Sequence, residues 1–383
     1  MLCVPLEPSN LEAWRLVMKV GYVYDERYLW HRPWSTQYSA LVEPFRHWES
    51  PETKRRFHSL LAVSGLLDQL TVVKPQVATN AQLERVHTRR YLEELERLSA
   101  REEGGNAGEE APFSQFALDI ARLSAGGVLA AADAVMDGQV DTAYALTRPP
   151  GHHAVADRGM GFCLLNNVAI TAKHLLSSYP AQINKIAIVD YDVHHGNGTQ
   201  EAFYEDDRVL FVSLHQANNY PADSGAVDER GEGRGEGFNI NLPLPPGSGS
   251  GAYEYTFKKV VIPALNRFKP DFVLVSSGFD ASYADPLAAM ILSSSVFRFM
   301  ARELVEAAKR LCSGRIVFAH EGGYSETYVP FCGAAVIEEL LGIRDNAKQI
   351  KDPFLSAVER WGYQELQEHQ KKVVDGVVDS EKL

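Results

Sequence analysis

From about Lys19 onward, short apolar runs rich in Val and Ile alternate with longer segments of helical periodicity. The runs are Val20–Tyr24, Ala143–Leu146, Lys185–Asp190, Val209–Leu214, Phe238–Leu242, Phe272–Ser276 and Arg315–Ala319. Runs that are apolar at successive positions bury both faces, as parallel strands covered on two sides do. Helical patterns lie between them: Gln115–Asp137, Asn166–Ser177, Tyr253–Phe268, Ser294–Leu311 and Val329–Leu341. This alternation predicts one α/β domain, a mostly parallel sheet with helices on both faces. Arg101–Pro112 and Arg230–Gly237 are polar and Gly-rich and read as surface loops. Beyond Pro353, Phe354, Val358, Trp361 and Leu366 outline an amphipathic helix. Asp375–Leu383 reads as a frayed polar end.

Composition narrows the function classes. The 383 residues are 45% apolar and 23% charged, with a net charge of −12. That balance suits a globular protein with a sizeable core and argues against direct nucleic-acid binding, which needs a basic footprint. No apolar run approaches the ~18 residues of a membrane span. Four cysteines without a CxxC pair suggest a reducing, cytoplasmic setting. Met1–Val17 lack the basic start and apolar stretch of a signal peptide and read as a dispensable extension ahead of a domain spanning 18–383.

Open α/β sheets place their ligands beyond the carboxyl ends of the strands. Four runs end in chemistry there. TRPPGHHA carries His152 and His153; DYDVHHGNG carries Asp190, Asp192, His194 and His195. SGFDASYADP carries Asp280 and Asp285, and HEGGY carries His320, Glu321 and Tyr324. In an extended strand end, residues two apart share a side, so Asp190, Asp192 and His194 can alternate away from Tyr191 and Val193. Asp192 and His194 then need a third ligand to make a zinc site with one open position. Asp280 by itself reads as a helix cap or turn residue; beside that pair it is the candidate. Tandem histidines suit proton transfer near neutral pH, and the Gly-Gly turn lets the Tyr324 phenol approach a reacting carbonyl. His320 and Glu321 read as structural. His174, in a helical pattern, and His31, His47, His58, His87 and His369, for which no partner is evident, read as structural or surface residues. HExxH, P-loop and GxSxG motifs are absent from the sequence.

RPPGHHA, GMGFCLLNN, VDYDVHHGNGTQ, VSLHQ, SGFDASYADPL and EGGY, in this order, resemble the zinc-dependent histone deacetylase family. The likeness is greatest to its class II branch and the bacterial histone-deacetylase-like amidohydrolases, and it spans Lys19 to Gly342. It implies the arginase/deacetylase fold, with a parallel sheet of about eight strands. It also implies zinc on Asp192, His194 and Asp280, proton transfer by His152 and His153, and a carbonyl-polarising Tyr324. Asp190 would orient His152. Asn197 would partner His153, where class I relatives carry aspartate, and the division of base and acid duties stays open. The resemblance further implies potassium at Asp190, Asp192, His194, Ser213 and Leu214, and a second potassium at Phe203, Asp206, Val209 and Phe238. Gly161, Phe162, Tyr220 and Leu287 would line an acyl-lysine tunnel, with Tyr220 standing where relatives commonly have phenylalanine.

The expected activity is hydrolysis of N-ε-acetyl-lysine in a peptide or protein. An acetylpolyamine amidohydrolase shares all of this chemistry, although polyamine-selective relatives carry an acidic residue where Leu287 stands. A ureohydrolase needs further carboxylates for two manganese ions, and Asp280-Ala281-Ser282 lacks them. A non-catalytic acyl-lysine reader would have lost Tyr324 or a zinc ligand. A homo-oligomer and the preferred acyl length are left open.

Overall fold

The computed structural model describes residues 18–33 and 47–382. Cys3 and the expected Met1–Val17 extension lie outside them. Eight parallel strands form the central sheet: β1 (Val20–Val23), β2 (Thr71–Val72), β3 (Thr142–Ala145), β4 (Ile186–Asp190), β5 (Val209–Gln216), β6 (Asn239–Leu244), β7 (Phe272–Ser277) and β8 (Ile316–His320). Their spatial order is β6-β5-β4-β7-β8-β3-β1-β2. Seven coincide with the expected apolar runs to within two residues. The eighth, β2, is an exposed two-residue edge with no run to announce it.

Alternate side chains on the central strands enter two different cores. Ala187 and Val189 of β4 join Val273 and Val275 of β7 on one face, while Ile186 and Ile188 join Phe272 and Leu274 on the other. Helices α3 (Ala117–Met136) and α4 (Asn167–Ser178) cover the second face through Val128, Ala132, Val168 and Leu175. Helices α7 (Ser294–Cys312) and α8 (Val329–Leu340) cover the first through Phe297, Leu304, Ala334 and Ile337. Each fully buried aliphatic side chain contributes about 1.5–3 kcal/mol relative to an exposed one, so both faces hold β4 and β7 rigidly in place.

Several elements differ from the sequence expectation. Helices α1 (Glu52–Val63) and α2 (Arg89–Ser99) were not anticipated. The expected Tyr253–Phe268 helix begins at Ser250 as α6 (Ser250–Thr256) and continues through a π turn, Phe257–Val261, into Ile262–Phe268. That widening directly precedes Pro263, whose ring cannot donate or fit the regular ladder. The expected tail helix shrinks to one turn, Leu355–Val358, and the supposedly frayed end is helical from Asp375 to Glu381, within α9 (Glu368–Glu381). There Val374 and Val377 are buried as the helix packs against β6, and Glu381 pairs with Arg230. Arg101–Pro112 is more than a loop: its Gly108–Glu109 strand pairs with Gly159–Met160 beside the site described next.

Candidate active site

Strand β4 ends at Asp190, and the chain then turns instead of remaining extended. This corrects the expected alternation. Asp192 and His194 are aligned by the turn itself: the Asp192 N–H donates to Asp190 Oδ1 at 3.1 Å and the His194 N–H to Asp192 Oδ1 at 3.0 Å. Asp280 follows β7, and its Oδ1 accepts the Val193 N–H at 2.8 Å, drawing the two strand ends together. One ligand atom from each of Asp192, His194 and Asp280 lies within 4.8 Å of the other two, and all three residues are buried. His194 Nδ1 stands 3.1 Å from Asp192 Oδ1 and 3.2 Å from Asp280 Oδ2.

The charges of this trio are strongly coupled. Burial and the charge of Asp192 raise Asp280 to about 6. Against burial, the two carboxylates lift His194 to about 10, while His152 and His194 hold Asp192 well below the usual range. Two buried carboxylates and one imidazole make a donor set suited to a divalent cation. Room for one comes from Gly322. A Cβ there would stand 2.1 Å from Asp280 Oδ2, 2.7 Å from Asp192 Oδ2 and 3.1 Å from the Tyr324 hydroxyl. The residues therefore fit a metal ion.

His152 and His153 lie in the loop after β3, with ring centroids 4.0 Å apart. His152 Nδ1–H donates to Asp190 Oδ2 at 2.9 Å, and its Nε2 stands 3.8 Å from Asp192 Oδ1. His153 Nδ1–H donates to Asn197 Oδ1 at 2.8 Å, while Asn197 Nδ2 donates back to the His153 carbonyl at 3.4 Å. Different partners give different imidazoles. Asp190 and Asp192 outweigh burial and lift His152 to about 10; burial, with His152 and His194 nearby, pushes His153 well below its ordinary value. Burial, followed by Asp280 and Asp192, raises the Tyr324 phenol, which keeps it protonated.

Aromatic side chains frame the approach. The Phe162 ring meets Tyr324 at 6.0 Å and His47 at 5.0 Å, both edge-on. Tyr220 stands perpendicular to His153 at 5.0 Å, with its hydroxyl 3.5 Å from the Glu109 carbonyl. Gly161 has φ of 48°, and a Cβ there would lie 2.4 Å from the His153 ring. Leu287 is half-buried, and its carbonyl accepts from Asn219 Nδ2, next to Tyr220 in the chain, at 3.4 Å. Of the residues associated with potassium, Asp190 is in register with Ser213 on β5, and Leu214 follows. In the other group, the Phe203, Asp206 and Phe238 carbonyls accept the N–H groups of Asp206, Val209 and Phe211.

Sequence reasoning passed over three supporting residues. Asp285 Oδ2 accepts the Tyr324 N–H at 2.8 Å and its Oδ1 the Leu287 N–H at 2.9 Å, tying the phenol's turn to Leu287. Its position in SGFDASYADP was visible, but its partner was not. His87 has partners after all: Nδ1–H donates to the Val155 carbonyl at 3.0 Å, and Nε2 accepts the Asn166 N–H at 2.9 Å. No local signal could have found these contacts. Glu321, read as structural, accepts N–H groups from the histidine loop, whereas His320 stays in the core opposite Tyr144.

A model of the histone deacetylase domain matches residues 47–340. The chain belongs to the histone deacetylase family. A histone deacetylase-like amidohydrolase of Pseudomonas aeruginosa is 45% identical, with 90% of this chain and 91% of that protein covered. Histone deacetylase HDA1 of Saccharomyces cerevisiae is 36% identical over 88% of this chain, which spans about half (50%) of the yeast protein. Among solved structures, the HDA15 HD domain superposes with a TM-score of 0.82 at 32% identity, covering 95% of this chain and 94% of that one. This histone deacetylase-family chain is thus a hydrolytic enzyme of the deacetylase type. No helix among the described residues is long and apolar enough to cross a membrane.

Proposed function

We propose that this histone deacetylase-family enzyme is a zinc-dependent deacylase of N-ε-acetyl-lysine in peptides or proteins. The convergence of Asp192, His194 and Asp280 beside His152, His153 and Tyr324 carries the reading. Bound by that trio, zinc would polarise the amide carbonyl and lower the pKa of a water toward ~7. His153 gives its Nδ1–H to a neutral amide, which leaves Nε2 as an acceptor for the attacking water's proton. His152, charged against Asp190, stabilises the developing negative charge and supplies a proton toward the leaving lysine amine. The Tyr324 hydroxyl donates to the tetrahedral oxyanion. The donors of Asp192, His194 and Asp280 support a single ion, and Ala281-Ser282 contribute no further carboxylate. Filling the space at Gly322 with a methyl group should cost metal: Gly322→Ala is expected to hold well under one zinc per chain by mass spectrometry. A full equivalent would contradict this use of the glycine.

Potassium enters the reading by resemblance. The oxygen donors of Asp190, Asp192, His194, Ser213 and Leu214 fit a hard cation, as do the carbonyls of Phe203, Asp206, Val209 and Phe238. The buried free thiols Cys163, Cys312 and Cys332 support a reducing, cytoplasmic setting.

The substrate choice rests on Leu287. A polyamine retains a second ammonium, and stripping its water is costly without a carboxylate at the rim. Asp285 is poorly suited to that task, because burial raises its carboxyl well above the usual carboxylate range and its oxygens already hold the Tyr324 and Leu287 N–H groups. One observation favours the acetylpolyamine alternative: the exposed Glu109 and Glu110 flank the rim, their carbonyls accepting the Gly161 and Phe162 N–H groups. The test is kcat/KM for acetylspermidine or acetylputrescine against an acetyl-lysine peptide. We expect the peptide to win, and Leu287→Glu to raise polyamine turnover while lowering peptide turnover. A wild-type ratio above one for the polyamine would overturn the assignment.

A further inference from the structure

Glu321 sits immediately after β8, fully buried, on the floor beneath the histidine loop. Its Oε2 accepts two consecutive backbone N–H groups, from Gly151 at 2.7 Å and from His152 at 3.2 Å. Its Oε1 accepts the Ser276 hydroxyl at 3.2 Å. Ser276 is the register partner of Asp190, which holds the His152 ring. In the next peptide, the His152 carbonyl accepts the N–H groups of Gly198 at 3.0 Å and Thr199 at 3.2 Å. The main chain of His152 is therefore clamped between a carboxylate below and the start of α5 (Asn197–Phe203) above.

The clamp has a mechanical consequence. His152 and His153 sit on a loop, where no strand ladder fixes their position. Only specific acceptors can hold those N–H groups, and a shift of about 1 Å in a reacting group can cost ~10²-fold. We infer that Glu321 is a positioning residue for proton transfer, setting the tandem histidines against the metal trio by accepting the Gly151 and His152 N–H groups. The inference rests on the proposed roles of His152 and His153. What matters is acceptor geometry more than charge. A glutamine can reproduce every contact, its Oε1 taking both N–H groups and its amide donating to the Ser276 hydroxyl. An aspartate keeps the charge but withdraws the oxygens by one methylene.

The experiment uses the zinc-loaded full chain, with kcat and KM expressed per zinc-bound molecule and Tm measured alongside. Glu321→Gln should keep kcat within about threefold of wild type. Glu321→Asp should lower kcat about 10–100-fold with KM nearly unchanged and zinc retained. A purely structural glutamate would instead lower Tm and leave kcat per loaded molecule intact. An aspartate variant with wild-type kcat overturns the inference, and so does a glutamine variant that falls as far as aspartate. Should Glu321→Asp not fold, Ser276→Ala decides alongside the glutamine variant. It frees Oε1 and should cost kcat about 3–10-fold, so an unchanged kcat overturns the inference. His153→Ala separates the two levels. If it retains wild-type turnover, the proposed mechanism fails; if it is inactive, the Glu321 results bear on positioning alone.

Discussion

Asp192→Ala should lose zinc and activity together. Only His194 and Asp280 then remain of the trio, and two protein donors fall short of the three that catalytic zinc sites use. Asp192 also accepts the His194 and Gly322 N–H groups, at 3.0 Å and 2.8 Å, so its loss loosens the turn that aims His194. Zinc by mass spectrometry should fall from one equivalent to about a tenth or less, with turnover of an acetyl-lysine peptide down by at least ~10³-fold. A variant that keeps a full equivalent and most of its activity would remove Asp192 from the ligand set. Two equivalents in the wild-type chain, or manganese dependence with zinc inactive, would overturn the mononuclear reading.

Tyr324→Phe should separate chemistry from metal binding. The substitution removes one hydroxyl and leaves the ring packed against Phe162 and His194, so zinc content and Tm should match wild type. We expect kcat to fall about 10²–10³-fold, the usual loss for one oxyanion donor, with KM little changed. Activity within a few-fold of wild type would mean that the phenol is not that donor. Asn197→Ala should be milder, about 10–100-fold, because it acts through the orientation of His153.

Much of the fold was legible because burial on both faces leaves a mainly apolar run in six of the eight sheet strands, while the edge strand β6 alternates Ile240, Leu242 and Leu244 with Asn239, Asn241 and Pro243. The eighth, Thr71–Val72, is exposed and short, and exposure erases that signal. Helix α2 escaped notice although Tyr91, Leu92 and Leu95 are buried, because strongly polar residues surround them. The tail was misread for a related reason. Val373, Val374, Val377 and Val378 stand among charged and polar residues, and Val374 and Val377 count because β6 offers the helix a surface.

At the site, sequence by itself determined which chemical groups are available and at which strand ends. Those groups are two aspartates and an imidazole able to hold a metal, two adjacent histidines, and one phenol after a Gly-Gly turn. Residue type dictates this inventory, since no other side chains supply such donors at those positions. Tertiary structure alone decided how they meet. The turn after Asp190, and not strand alternation, aims Asp192 and His194, and a Val193–Asp280 hydrogen bond spans 87 positions of the chain. Glu321 and Asp285 gain their roles in the same way, through backbone N–H groups brought from 170 and 39 residues away. Every residue carries such an N–H, so sequence does not mark the one that will be left for a side chain to satisfy. The packing of the strand ends makes that choice, because a buried donor must find whichever acceptor the fold has placed beside it.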